Sequence, residues 1–114
     1  MLEDVLVKYP EMRISVAHAG YPRIDEMLTL LYGHPQLFCD ISGLNCFFPK
    51  SEFYYYLGRL VGAGFSKRVM YGSDQMMWPD AIPLSIQWVE EAPFLSQSQK
   101  RDIFYNNAKR FLRL

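Results

Sequence analysis

The sequence predicts an α/β protein built on a parallel sheet. Three observations carry this expectation. Short apolar runs alternate with segments whose apolar residues recur at helical spacing. Each run is closed by a glycine-containing turn, in Ala19-Gly20, Ser42-Gly43 and Gly72-Ser73. The stretches between runs are long enough to hold a helix, the crossover that parallel strands require.

The elements follow in order. Leu2, Val5 and Leu6 recur at helical spacing, and Pro10 ends that first helix. Ile14 to Ala17 is a short apolar run closed by Gly20 and reads as a buried strand. Pro22-Arg23-Ile24-Asp25 opens a second helix, with the proline suited to its first turn. Ile24, Met27, Leu28 and Leu31 form its apolar stripe, and Gly33 is a natural stop. Leu37 to Ile41 is the second strand, with Leu37, Cys39 and Ile41 as one apolar set and Phe38, Asp40 and Ser42 as the other. Ser51 is expected to cap a third helix, with Phe53, Leu57, Leu60 and Val61 inward, stopping near Gly62 or Gly64. Arg68 to Tyr71 is the third strand. Two helices close the chain, over Ala81 to Glu91 and Ser98 to Leu112, with Ser96 or Ser98 placed to cap the last.

The 114 residues suffice for one domain, taken as 1–114, with no repeat, low-complexity tract or linker. Lys and Arg number 12, as do Asp and Glu, so the net charge is zero and nothing points to nucleic acid or an anionic membrane. No apolar run approaches the ~20 residues that span a bilayer. The acidic start, Met1-Leu2-Glu3-Asp4, lacks a signal peptide's apolar stretch. The two cysteines, Cys39 and Cys46, make no C-x-x-C pair and no disulfide framework, so a cytoplasmic location is expected.

Parallel α/β sheets place their chemistry where strands run into the following loops, at the strands' C-terminal ends. His18 closes the first strand and Asp74 follows the third, so both belong to that face. Strand alternation puts His18 with Ile14 and Val16, and Asp74 with Met70 if the extended phase continues through Gly72. An imidazole and a carboxylate there suit a divalent metal or proton transfer, against the plainer reading of a core histidine and a turn aspartate. Asp40 lies below its strand's end and is expected to hydrogen-bond structurally, because an inward carboxylate needs a partner. His34 lies between a helix end and the next strand, on the opposite face, and reads as a loop residue. Tyr21, Trp78 and Met76-Met77 sit in active-face loops, where Tyr21 and Trp78 are candidates for lining a substrate pocket.

Four stretches then fall into a familiar order. "SVAHAGYP", "LFCDISG", "RVMYGSDQMMWP" and "YNNAKRFLRL" follow one another as in the last part of amidohydrolase-related proteins. The chain resembles the amidohydrolase-2 group, which includes metal-dependent hydrolases, lactonases and aromatic-acid decarboxylases. The resemblance covers essentially the whole chain and implies the C-terminal part of a (β/α)8 TIM barrel, about strands six to eight with their helices. It implies that His18 stands beside the metal-activated water and substrate, as a second metal ligand or catalytic group. It implies that Asp74 ligates the metal and handles the water's proton. The implied function is hydrolysis of C–N, ester or lactone bonds, or decarboxylation, of a small organic acid. The implied cofactor is a divalent metal, zinc foremost.

The family's His-x-His motif and a further strand histidine have no counterpart, since His18 and His34 are the only histidines. A full barrel runs to about 250 residues. The chain is therefore expected to be a truncated gene product, a fragment of a longer protein or one part of a split barrel, with a complementing N-terminal barrel fragment or further copies of itself in a homo-oligomer as the expected partner. The outer strands around Val16 and Val69 are expected to be open edges, with Phe38, Val16 and Met70 losing their barrel partners. The alternative is a catalytically inactive remnant or interaction protein. A nucleotide-binding module fits less well, because Gly62-Ala63-Gly64 precedes a strand instead of following one.

Overall fold

Three short strands lie side by side in the order β1-β2-β3, all parallel, as the alternation of elements predicts. In the computed structural model, which describes residues 1–114, the elements are α1 (Leu2–Lys8), β1 (Ile14–Val16), α2 (Ile24–Gly33), β2 (Leu37–Asp40), α3 (Leu44–Phe47), α4 (Lys50–Gly62), β3 (Val69–Met70), α5 (Ala81–Glu90), α6 (Gln97–Arg101) and α7 (Asn107–Leu112). A π turn at Asp102–Asn106 joins α6 to α7, so the last predicted helix is one continuous but uneven rod. Ser96 caps it, accepting from the Gln99 N–H.

Register sorts the two faces of the sheet. Ile14 pairs with Leu37, and Val16 with Cys39, which in turn pairs with Val69. That face is buried against the stripe Ile24, Met27, Leu28 and Leu31 of α2 and against Phe53, Leu57 and Leu60 of α4, in one apolar cluster. Ser15, Phe38, Asp40 and Met70 share the other face. Val16 therefore packs on the helix side, contrary to the expectation that grouped it with Phe38 and Met70. Phe38 and Met70 are themselves buried. Phe111 of α7 meets Phe38 edge-on at 5.3 Å between ring centroids, and the Arg13 guanidinium lies 5.6 Å over Phe111.

The expected open edge at Val69 is covered. The Tyr71 N–H donates to the Ile103 carbonyl at 2.8 Å, and Asn107 Nδ2 donates to the Val69 carbonyl at 2.7 Å. The C-terminal helix thus satisfies edge groups that a further strand would otherwise pair. β1 pairs on one side only, with β2.

Three local readings are corrected. The strands are shorter than predicted, since Ala17 and Arg68 belong to single 3-10 turns and Ile41 lies just beyond β2. Ser51 sits inside the first turn of α4, whose N-cap is Pro49, a residue that can precede a helix but offers no side-chain cap. Helix α3 was not foreseen, because Leu44 to Phe48 shows too short an apolar run to reveal a period.

Candidate active site

β1 ends at Val16 and the chain turns sharply through Ala17–Gly20. His18 and Ala19 both take left-handed backbone conformations, at φ 55° and 47°. Extended alternation stops there, so the predicted grouping of His18 with Ile14 and Val16 does not hold. Asp74 is left-handed too, at φ 55°, and alternation from Met70 does not set its direction either. Left-handed backbone in a non-glycine residue carries strain and needs support from its surroundings.

The support is visible. The buried Tyr56 hydroxyl of α4 donates to the Ala19 carbonyl at 2.9 Å. Asp40 Oδ1 accepts the His18 N–H at 3.3 Å, the Ser42 N–H at 3.1 Å and the Ser42 hydroxyl. Asp40 thereby ties the turn after β1 to the turn after β2, which supplies the partners that an inward carboxylate requires. On the other side, buried Asn45 of α3 donates from Nδ2 to the Gly72 carbonyl at 3.0 Å and anchors the loop that carries Asp74.

His18 and Asp74 meet at this end of the sheet. Nε2 of His18 lies 3.9 Å from Oδ2 of Asp74, with the two side chains 47% and 41% exposed. The Ser42 carbonyl, an acceptor only, lies 2.6 Å from His18 Nδ1. Nδ1 therefore carries a hydrogen and donates it, so that Nε2, on Asp74's side, is the ring atom left to take a ligand or exchange a proton. Gly43, at φ 74°, passes directly beneath. A Cβ there would come within 3.1 Å of His18 Nδ1 and 3.5 Å of Asp74 Oδ2. Gly72 is equally constrained, since its Cβ would meet Ser42 Cβ at 2.9 Å.

A cavity of about 150 Å³ opens beside the pair, lined by His18, Tyr21, Gly43, Leu44, Phe47, Phe48 and Asp74. Tyr21 packs on Phe48 at 4.5 Å between ring centroids. Trp78 is 53% exposed and is not among the lining residues, and Met76 and Met77 are exposed as well. His34 lies at the far end of the sheet, with Nε2 3.4 Å from Glu3 Oε1. Sequence reasoning missed Ser42, Leu44, Phe47, Phe48 and Tyr56. The one available signal was Gly43, a turn residue directly before an apolar run that ends at Pro49. Cys46 lies behind the site, its Sγ accepting from Gln75 Nε2 at 2.9 Å, and burial raises its thiol above the ordinary value of 9.0.

The donor set can be tested for a metal. Two tetrahedral zinc ligands at ~2.1 Å from the ion lie about 3.4 Å apart, close to the 3.9 Å between Nε2 and Oδ2. The Nδ1–H held by a backbone carbonyl is the support a ligating imidazole normally has. The pair therefore fits two neighbouring coordination positions. No group of three or more ligating side chains converges in the chain.

Fold and site define a class: a parallel α/β layer whose imidazole and carboxylate converge at the C-terminal strand ends, as in part of a TIM barrel. The chain belongs to the amidohydrolase family, whose model matches residues 1–114. Comparison with curated proteins returns no match. Among solved structures, the chain is similar to an uncharacterized TIM-barrel protein from Bordetella bronchiseptica, at 18% identity and a TM-score of 0.70, covering 98% of this chain and 38% of that one. It is similar to an amidohydrolase from Burkholderia multivorans with bound zinc, at 21% identity and a TM-score of 0.69, covering 99% and 48%. It is also similar to 5-carboxyvanillate decarboxylase from Sphingomonas paucimobilis, at 20% identity and a TM-score of 0.66, covering 96% and 36%. The chain thus spans less than half the length of these proteins, and at such identities the likeness establishes the fold, part of a TIM barrel. No helix is long and apolar enough to cross a membrane.

Proposed function

We propose that this chain supplies the proton-handling part of a metal-dependent site that hydrolyses or decarboxylates a small organic acid. The observation that carries the reading is the His18–Asp74 pair, 3.9 Å apart at the C-terminal strand ends, with the imidazole held in one tautomer by the Ser42 carbonyl. Family membership supports it. The amidohydrolase from Burkholderia multivorans with bound zinc and the decarboxylase among the similar structures agree with the two branches of chemistry.

Each residue then has a role. In hydrolysis, the Asp74 carboxylate takes the proton of the attacking water and returns it to the leaving group. His18 presents its one free lone pair, on Nε2, to the same space, where it would serve as the second ligand of the ion. Asp40 keeps Ser42 and the His18 backbone in place through three hydrogen bonds. His18 Nε2 and Asp74 would hold two positions on a divalent ion, zinc in our reading, which supplies Lewis acidity when bound. Catalytic zinc typically takes three protein ligands, so in this reading the others come from further barrel strands pairing along β1.

The test compares three variants in a polypeptide that carries this chain together with such strands, with metal content monitored. Asp74→Asn is expected to lower kcat at least ~10²-fold, with His18→Ala closer to it than to wild type. His34→Ala is expected to leave turnover nearly unchanged. Full turnover in Asp74→Asn, or its loss in His34→Ala, would place the chemistry elsewhere.

A further inference from the structure

Charge is not spread evenly along the chain. Residues 97–114 hold five of its 12 basic residues, Lys100, Arg101, Lys109, Arg110 and Arg113, against one acidic residue, Asp102. The helical rod they form lies along β3, held there by Asn107, and turns a second face outward. A cleft of about 190 Å³ on that face is lined by Phe104, Tyr105, Ala108, Lys109, Leu112 and Leu114. Tyr105, Ala108 and Leu112 stand at i, i+3 and i+7, the spacing by which one helix face anchors in a groove. Tyr105, Leu112 and Leu114 are exposed. So are Lys109 and Arg113, and neither pairs with a carboxylate of its own chain.

The β1 side of the sheet carries the reverse. Between α1 and α2 runs a trough of about 430 Å³ with Leu2 and Leu30 as its apolar floor. Glu3, Asp25 and Glu26 rim it, and no lysine or arginine lines it. His34, Arg59 and Arg23 stand 3.4, 2.9 and 3.9 Å from these three carboxylates, yet the acidic side chains remain 67%, 81% and 64% exposed. The trough continues past Glu26 and Leu30 to Met27 and to Val16 of β1. A basic, apolar helix face and an acidic, apolar trough thus sit at the two ends of the strand order. We infer that the outer face of α7 docks in the α1–α2 trough of a second copy of this chain, apolar ridge to apolar floor, with Lys109 and Arg113 against Glu3 and Glu26. The contact is heterologous, so chains join head to tail and each pair keeps one trough and one ridge free. A two-fold dimer would instead set α7 against α7, or trough against trough, and like charges facing each other oppose that arrangement. The interface uses neither His18 nor Asp74 and does not depend on the proposed reaction.

Sedimentation equilibrium of the chain as it stands tests this. The mass is expected to rise with concentration above the 13.4 kDa of one chain. Salt at about 1 M is expected to weaken the association at least about tenfold, because exposed charges are then screened within about 3 Å. Two variants reverse one face each: Lys109→Glu with Arg113→Glu, and Glu3→Lys with Glu26→Lys. All four positions are exposed, so both variants are expected to keep the wild-type circular dichroism, and both are expected to sediment as single chains. Reversing all four positions in one chain restores the pairing of opposite charges. It is expected to return self-association to within about threefold of wild type. That recovery also shows that neither swap unfolds the chain. A wild-type chain that stays single up to about 1 mM would overturn the inference. So would association that survives either swap, or a chain with all four positions reversed that stays single. Loss on the α7 swap with no effect of the trough swap would mean that α7 pairs with another site, and the head-to-tail contact would be gone.

Discussion

The two ends of the three-stranded sheet are built on opposite plans. At the N-terminal end, long side chains reach in to satisfy backbone carbonyls. Arg68 donates to the carbonyls of Leu31 at 2.6 Å, His34 at 2.9 Å and Leu37 at 3.3 Å, and lies over the Phe65 ring at 4.7 Å. Asn107 donates to the carbonyls of Ser66 and Val69, and Arg110 to that of Lys67. At the C-terminal end, His18, Ala19 and Asp74 take left-handed backbone, and the His18 and Asp74 side chains, each less than half exposed, face each other across a cavity. One end spends its polar groups on closing the fold, whereas the other uses Asp40, Asn45 and Tyr56 to brace its turns and leaves His18 Nε2 and the Asp74 carboxylate available. Parallel α/β proteins divide stability and chemistry in this way because loops can vary at one end while the other locks strands to helices.

The largest effect expected from this contrast is at Arg68. Arg68→Ala leaves the C-terminal carbonyls of α2 and the start of β2 without their donor and removes a stacked, partly buried guanidinium. A loss of about 3 kcal/mol is expected in urea unfolding. His18→Ala, which removes one hydrogen bond from a half-exposed ring, should cost about 1 kcal/mol or less. If the order is reversed, the division between the two ends fails.

The two cysteines sharpen the same contrast. Cys39 is fully buried in β2, and burial, ahead of the nearby Asp40 charge, pushes its thiol up to about 12 from an ordinary 9.0. The folded state thus favours the protonated thiol. This contribution is complete below pH 9.0 and is lost as pH rises from 9.0 through about 12, because the unfolded chain ionises first. Alkaline unfolding should therefore steepen across that window, and Cys39→Ala should flatten the slope even though it lowers stability at neutral pH. Cys46, behind the site and only half-buried, should alkylate in the folded chain while Cys39 waits for unfolding. Simultaneous labelling of both thiols in native conditions would count against a firm core next to a yielding site.

What the sequence disclosed follows the same line. The strands, their parallel order and the stripe of α2 were legible because burial imposes a period on neighbouring residues, and period survives in sequence. The positions of His18 and Asp74 at one end followed from chain order alone. Their 3.9 Å approach did not, because it depends on left-handed turns and on Tyr56, Asn45 and Ser42, whose partners lie 24 to 37 residues away or across a loop. The covered edge of β3 was equally hidden. Asn107 sits in a stretch that suggested the family by its pattern, yet its hydrogen bonds to Ser66 and Val69 span 41 and 38 residues and leave no local trace.

The smallest predicted effect has the opposite sign from the first. Asp74 is held at φ 55°, where an L residue is disfavoured by roughly 1–2 kcal/mol, somewhat less for aspartate. Its side chain is 41% exposed and makes no hydrogen bond that fixes the loop. Glycine adopts this backbone without steric cost, though it gives back about 0.5–1 kcal/mol through a freer unfolded chain. Asp74→Gly should therefore gain about 0.5 kcal/mol, a rise in Tm of about 2–4 °C, while removing the carboxylate from the site. Asp74→Asn tolerates the same backbone and should stay within about 0.5 kcal/mol of wild type. Gain in one variant with none in the other isolates the backbone strain from the charge. A loss in Asp74→Gly comparable to that of Arg68→Ala would mean that the C-terminal end also locks the fold, and the contrast between the two ends would not stand.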